Sequence, residues 1–374
     1  MSAPTRRPHN TTAAIVLTAG ITAGATLLLS ACGPEDTAGA GASPSASHSA
    51  TGTGTSSGTS HSANLTAGNG GSGSGKPSGK ASGSGAKPAA SVPPAAGTAP
   101  RNGTAHNGLT ISDGSRYVVM NGTRVDFGTQ VRDLSWSPDG RRAAFIDGDG
   151  DLAVSNPDGS GRITAARNPG GQNWSHPTWL VRPADHSTGY PAASELIFSA
   201  RTGSTSRLVH VPTTAHDATP KPLQLNHESG EDVAPLPQTG NLWPSAAGVH
   251  GMSVYANAAT GDVFIRDDYL RQQGSALTEG SEPALSSGPD QDIVFVRSVG
   301  GHDHLFVEHS TDSGPTYRDL TPHATTDYTE PAWSADGRTI AARTTQGVVT
   351  LPADGSHAPV VTSGYHGLPA YRAS

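Results

Sequence analysis

The sequence predicts an all-β fold, a six-bladed β-propeller preceded by a signal peptide and a long disordered tether. Three observations predict it. Residues 131–164 place short apolar runs between turn tetrapeptides, the pattern of an antiparallel meander of about four strands. The same order of strand, Asp-Gly turn, strand and second Asp-Gly turn returns at residues 330–356. One such sheet cannot bury both of its faces, so it needs copies of itself around a ring. Residues 33–107 hold Gly, Ser, Ala, Thr and Pro with almost no large apolar side chain, and such a segment cannot bury a core.

Residues 1–32 read as a bacterial lipoprotein signal. Arg6 and Arg7 supply the positive start, and residues 13–29 form the apolar stretch. Leu29-Ser30-Ala31-Cys32 resembles a lipobox, whose Cys becomes the lipidated first residue of the mature protein. Cys32 is the single Cys in 374 residues, so no internal disulfide can form. A free thiol outside the cell is a liability; a thioether-linked lipid is not. The alternatives are a plain secretory signal with an incidental Cys and an uncleaved span, for which the apolar run is weak. The expected location is the cell membrane, lipid-anchored, on its extracytoplasmic face. Residues 33–107 then form the tether, with a mean span of roughly 50 Å.

Residues 108–374 form the folded domain. Of the 31 acidic residues only Glu35 and Asp36 precede it, whereas six of the 24 Lys and Arg do, so the domain is close to −11 (29 acidic, 18 basic). Such a charge repels nucleic acid, and none is expected as a partner.

The start of the domain, residues 109–130, has no tryptophan anchor but carries the hairpin signal Asn121-Gly122. Its end, residues 367–372, supplies one strand. The economical arrangement joins the two fragments in one blade, which closes the ring and removes its open edges. Anchors at Trp136, Trp179, Pro237, Leu285, Trp333 and Tyr371 give steps of 43, 58, 48, 48 and 38. A propeller blade takes roughly 40–50 residues. Leu242-Trp243 is an alternative third anchor. Strand pairs are expected at 195–200 with 206–211, 252–256 with 263–266, and 292–298 with 304–308.

Two copies of the repeat are specific: Trp136-Ser137-Pro138-Asp139-Gly140-Arg141 and Trp333-Ser334-Ala335-Asp336-Gly337-Arg338. Pro138 fixes φ, Asp139 and Asp336 can bond their own backbone, and Gly140 and Gly337 accept a positive φ. Together with Trp179, these residues carry the blade. They resemble the repeat of TolB-like six-bladed propellers, also called the PD40 or WD40-like repeat, over residues 109–374. The resemblance implies contact with another protein at a channel mouth or flat face. It does not imply a Tol system: TolB carries an additional N-terminal domain, and a Gly/Ser tether stands in its place here. The motif identifies a blade rather than an activity.

Several chemistries are weighed against bland readings. Asp147-Gly148-Asp149-Gly150-Asp151 resembles the start of a calcium loop, but Leu152 and Asp158 occupy the positions that want Gly and a bidentate Glu. A hairpin turn is expected. His302, His304 and His309 lie close in sequence without a third matching ligand, and a solvated surface is expected. No serine-hydrolase elbow or phosphate-cradling glycine pattern occurs, and no catalytic residue, metal or cofactor is expected.

One constellation comes from the repeat itself. The first strand of each blade faces the central channel. Three residues before each anchor stand Asp133, His176, Ala234, Glu282, Glu330 and Leu368, with Arg132, Asp232 and Tyr328 beside them. Asp133, His176, Glu282 and Glu330 are therefore candidates for an acidic recess at a channel mouth, open to a cation or a basic peptide; solvated loop ends are the alternative. The reading is a monomeric, membrane-anchored binding or scaffold propeller that engages a protein or basic peptide partner in the envelope. The alternatives are a propeller enzyme acting on envelope glycans through carboxylates at the channel, as a glycosidase or lyase, and a passive envelope spacer.

Overall fold

The computed structural model describes residues 101–225, 235–248, 250–267, 269 and 273–373. The lipobox at Cys32 and most of the predicted tether lie outside the described residues. Blade one holds β1 (Leu109–Ser112), β2 (Tyr117–Met120) and β3 (Thr123–Asp126). Blade two is β4 (Arg132–Trp136), β5 (Ala143–Ile146), β6 (Leu152–Ser155) and β7 (Ile163–Ala166). Blade three is β8 (Asn173–Arg182), β9 (Ala193–Thr202), β10 (Thr205–Pro212) and β11 (Lys221–Pro222). Blade four is β12 (Asn241–Ala247), β13 (Met252–Asn257), β14 (Asp262–Asp267) and β15 (Gln273–Glu279). Blade five is β16 (Ser281–Leu285), β17 (Ile293–Val299), β18 (His302–Thr311) and β19 (Gly314–Asp319). Blade six is β20 (Thr329–Trp333), β21 (Thr339–Thr344), β22 (Gly347–Pro352) and β23 (Val360–Ser363). The last strand, β24 (Leu368–Tyr371), returns to pair antiparallel with β1, from Leu109 opposite Tyr371 to Ser112 opposite Leu368. The result is six four-stranded antiparallel sheets, a six-bladed β-propeller closed by both ends of the domain.

The core is divided into seams between blades. Val118 and Met120 of blade one pack with Trp136 and Phe145 of blade two. Ile146 and Val154 meet Trp174 and Phe198 of blade three, and Ile197 and Leu208 meet Tyr255 and Phe264 of blade four. Val254 and Val263 meet Leu285 and Phe295 of blade five. Val294 and Leu305 meet Trp333 and Ile340 of blade six. The closing seam is the smallest: Leu109, Ile111 and Val119 against Ala341 and Val348. Such a ring keeps a 267-residue domain folded without one deep centre.

The repeat motif has a mechanical reason. Trp136, Trp179 and Trp333 each donate an indole N–H into the preceding blade: to Thr110 Oγ1 (2.9 Å), Ser135 O (3.3 Å) and Ala284 O (3.0 Å). Asp139 and Asp336 then close the turn, each accepting from the preceding Ser hydroxyl at 2.6 Å and from the N–H of Arg141 or Arg338 at 3.1 Å. Gly140 has φ 65°, and a Cβ there would lie 2.1 Å from the carbonyl oxygen of Ala373. The turn of blade two is thus built against the chain end, and Arg372 Nε donates to Gly140 O at 2.6 Å.

Three expectations change. The third inner strand is β12 rather than a strand anchored at Pro237, and Trp243 takes the channel position given to Ala234. Ala234-Pro235 and Trp243-Pro244 share the same dipeptide shape, but only the second is followed at the right interval by the turn and strand β13. Ala234 and Asp232 lie outside the described residues. Residues 101–107, assigned by composition to the tether, pack on the blades. Arg101 O accepts from Gly364 N at 2.9 Å, and buried Thr104 accepts from Gly122 N at 3.0 Å, so this short strap laces blade six to blade one. His304 is buried rather than solvated, because Asp319 Oδ2 meets its Nδ1 at 2.9 Å. His302 and His309 pair separately with Asp327 (3.2 Å) and Asp292 (2.6 Å), so the three rings do not converge. Residues 147–151 form the β5–β6 turn, with Asp147 Oδ1 accepting from Asp149 N (3.0 Å) and Asp151 N (3.1 Å).

Candidate functional site

Five of the six inner strands reach the axis through a bulge. The registers of β4, β8, β12, β16 and β20 against their neighbours all slip at the same place. At that place the backbone turns left-handed: φ is 55° at Asp133, 52° at His176, 51° at Trp243, 49° at Glu282 and 51° at Glu330. None of these is Gly, and four precede Pro. A side chain in this region is strained, and a bulge re-aims the residue it carries. Here five blades spend that strain at one level of the channel. In blade one Leu368 holds the equivalent place without the positive φ.

The bulges bring the side chains together. His176 Nε2 donates to Glu330 Oε2 at 3.1 Å, with Oε1 at 3.3 Å. Blades three and six stand opposite each other in a six-fold ring, so this ion pair spans the axis. Asp133 Oδ2 accepts from the backbone N–H of His176 at 3.3 Å, and Glu282 Oε2 from that of Glu330 at 2.6 Å. The Trp243 ring stands edge-on to His176, 6.2 Å between centroids. Asp133, His176, Glu282 and Glu330, chosen from the sequence, thus line one recess. Its volume is about 210 Å³, and Pro177, Pro244, Pro283, Pro331 and Pro369 form its apolar wall.

The charges respond to one another. Burial pushes the His176 imidazolium down, but the hydrogen bond and charge of Glu330, with Asp133 and Glu282, outweigh it and hold the group up at about 8. Burial and then the charge of Glu330 lift the Glu282 carboxyl to about 7. Glu330 is also pushed up by burial, yet His176, Arg343 and Trp243 bring it below its ordinary range. The Nδ1 atom of His176 is sealed from water and has no hydrogen-bond partner. The network therefore holds one cation, two carboxylates and one carboxyl poised near neutrality. Among the described residues, no three of His, Cys, Asp and Glu are placed to hold a metal ion.

Trp243 and Arg343 were missed from sequence. The Trp-Pro dipeptide was a usable signal for the first. Arg343 sits near the end of β21 and carries none. Arg132 lies with Asp133, Arg343 and Leu368 in a smaller adjoining recess. Tyr328 packs instead against the seam of blades five and six.

No known family profile matches the sequence, and no curated protein matches it. Among solved structures, TolB from Acinetobacter baumannii is similar at 14% identity and TM-score 0.49, over 71% of this chain and 65% of that one. The Cps50 (Swd1) β-propeller domain of Myceliophteria thermophila gives 12% and 0.41, over 69% and 85%. A chain of a nidogen/laminin complex gives 11% and 0.45, over 71% and 98%. This chain spans only 65% of the TolB chain. The architecture rests on the strand order itself.

Proposed function

We propose that this protein is a membrane-anchored, extracytoplasmic binding propeller whose channel recess receives a basic group of a protein or peptide partner. The convergence of Asp133, Glu282 and Glu330 from three blades carries the reading. His176 neutralises only one of them. Prolines line the recess around them, which suits the stem of a Lys or Arg side chain with its charge among the carboxylates. A fold of six blades hosts many functions, so the site rather than the fold supports this one.

The test is binding of a short lysine peptide. Affinity should fall as salt rises, because exposed charges are screened within about 8–10 Å at physiological ionic strength. The double variant Glu282→Gln, Glu330→Gln should bind about tenfold or more weakly, since each lost ionic contact is worth on the order of 1 kcal/mol. Equal affinity in a folded double variant sinks the site.

Anchoring is tested separately. Cys32→Ser should move the protein from the membrane to the soluble fraction or block its processing. An unmodified Cys32 in membrane-bound native protein counts against it. One observation favours a second reading, an enzyme acting on envelope glycans: Glu282 is shifted up and Glu330 down within one recess, the split that separates an acid from a base or nucleophile. Release of sugar fragments from envelope polymer, lost in Glu282→Gln, would select it.

A further inference from the structure

We propose that the recess is proton-gated: His176 is a latch across the channel axis, and a basic guest enters as protons leave. The inference rests on the binding reading above and adds its regulation. The His176–Glu330 pair joins opposite blades at 3.1 Å, so it occupies the middle of the recess that a guest must share. Every charged group facing it belongs to an inner strand or its neighbour. Glu330 comes from β20, Asp133 from β4 and Glu282 from β16; Trp243 of β12 and Leu368 of β24 complete the level without charge. Arg343 of β21 faces Glu282 and Glu330 from behind, and Arg132 lies beside Asp133.

A guest ammonium and the His176 imidazolium compete for the same Glu330 carboxylate. The orphan Nδ1 decides how the exchange can run. While His176 is a cation, Nδ1–H is a buried donor with no acceptor. Once that proton is lost, the buried donor is gone, Nδ1 is left as an acceptor, and Nε2–H keeps its bond to Glu330. Glu282 behaves in the same sense, for a cation beside it favours loss of its carboxyl proton. Acidification therefore leaves a recess with two carboxylates and one imidazolium, a charge of −1. Mildly alkaline conditions leave three carboxylates around a neutral ring, a charge of −3. The same site is a weak cation holder in one state and a strong one in the other.

The experiment uses the full chain and an N-acetylated, C-amidated tetralysine, whose ammonium groups stay charged across the range because their pKa is about 10.4. Affinity should rise at least about tenfold between roughly pH 6 and 8.5, and calorimetry near pH 7 in buffers of different protonation enthalpy should read release of about one proton per peptide bound. His176→Gln and Glu282→Gln should each flatten the pH profile. In the peptide-free protein, magnetic-resonance titration should show the His176 ring changing charge well above the ordinary value of about 6.5. Binding without proton release, or with the same affinity at every pH, overturns the gate and leaves the basic-guest reading standing. No binding at any pH overturns both. His176 titrating at its ordinary value overturns the latch whatever the peptide does.

Discussion

Deleting residues 367–374 is expected to abolish the cooperative fold of the domain. The deletion removes β24, the axial strand of blade one, and leaves β1 as an open edge facing the channel. Leu109 and Ile111 of β1 are fully buried in the closing seam, and Tyr371 packs on the same cluster. The deletion also removes Arg372, whose guanidinium bonds Gly140 O and lies 5.3 Å from the Trp136 ring. Four paired positions at about 1 kcal/mol each, together with the exposed apolar surface, sum to about 5 kcal/mol or more. That is comparable with the whole stability of a typical domain, about 5–15 kcal/mol. Chemical unfolding followed by tryptophan fluorescence is the measurement, with removal of Ser374 alone as the control. A truncated chain with the transition of the full one would refute closure through β24. Restoration of the transition by adding the missing octapeptide would strengthen it.

Replacing His176 by Leu is expected to cost about 3–5 kcal/mol near neutral pH, the range for breaking a buried ion pair from one side. Leu fills the space but leaves Glu330 facing Glu282 and Asp133 with no cation between them. The pH dependence separates this from a packing defect. In the native protein the His176 pKa is raised, so its contribution is complete below the unfolded value of about 6.5 and is lost as pH rises through about 8. Glu282 has the same sign: raised to about 7, it adds stability in acid that is lost as pH climbs from about 4.5. Glu330 is lowered and has the opposite sign, so its share is lost as pH falls through the acid range. The native domain should thus be most stable in mild acid and lose stability toward about pH 9. The gap between native and variant should be widest between about pH 5 and 6.5, narrowing in stronger acid as Glu330 protonates and above about pH 6.5 as His176 loses its charge. Urea melts at about pH 5, 7 and 9 decide it. An identical loss at all three would mean that the ring was only filling space.

The sequence carried the blades well because turn chemistry is local. Ser137-Pro138-Asp139-Gly140 and Ser334-Ala335-Asp336-Gly337 close their turns with their own side chains, so their meaning survives without tertiary context. The ring of channel residues was legible for the same reason: an anchor three residues on fixes which side chain faces the axis. It failed at blade four, where Ala246 stands in the Trp place and gives no anchor. There the spacing to the next strand, nine residues from Trp243 to Met252, was the better guide. What no local rule could show was the reach across the channel. His176 and Glu330 are 154 residues apart, and their pairing follows from opposite places in a closed ring rather than from either neighbourhood. The same holds for the strap, whose Gly and Asn content reads as linker until Thr362 is seen against Gly103, where a Cβ would meet its carbonyl oxygen at 2.1 Å.

That strap also sets how the domain takes a mechanical load. A pull applied through the chain preceding Arg101 does not reach β1 first. It falls on the contacts of Arg101 with Ser363 and Gly364 at the outer edge of blade six. Those bonds are expected to yield first, while Thr104 still accepts from Gly122 N in the Asn121-Gly122 turn. The axial strand β24 and the His176–Glu330 bridge lie on the far side of three strands from the point of traction. The contacts loaded first therefore lie at the rim of the ring, away from the recess at its axis.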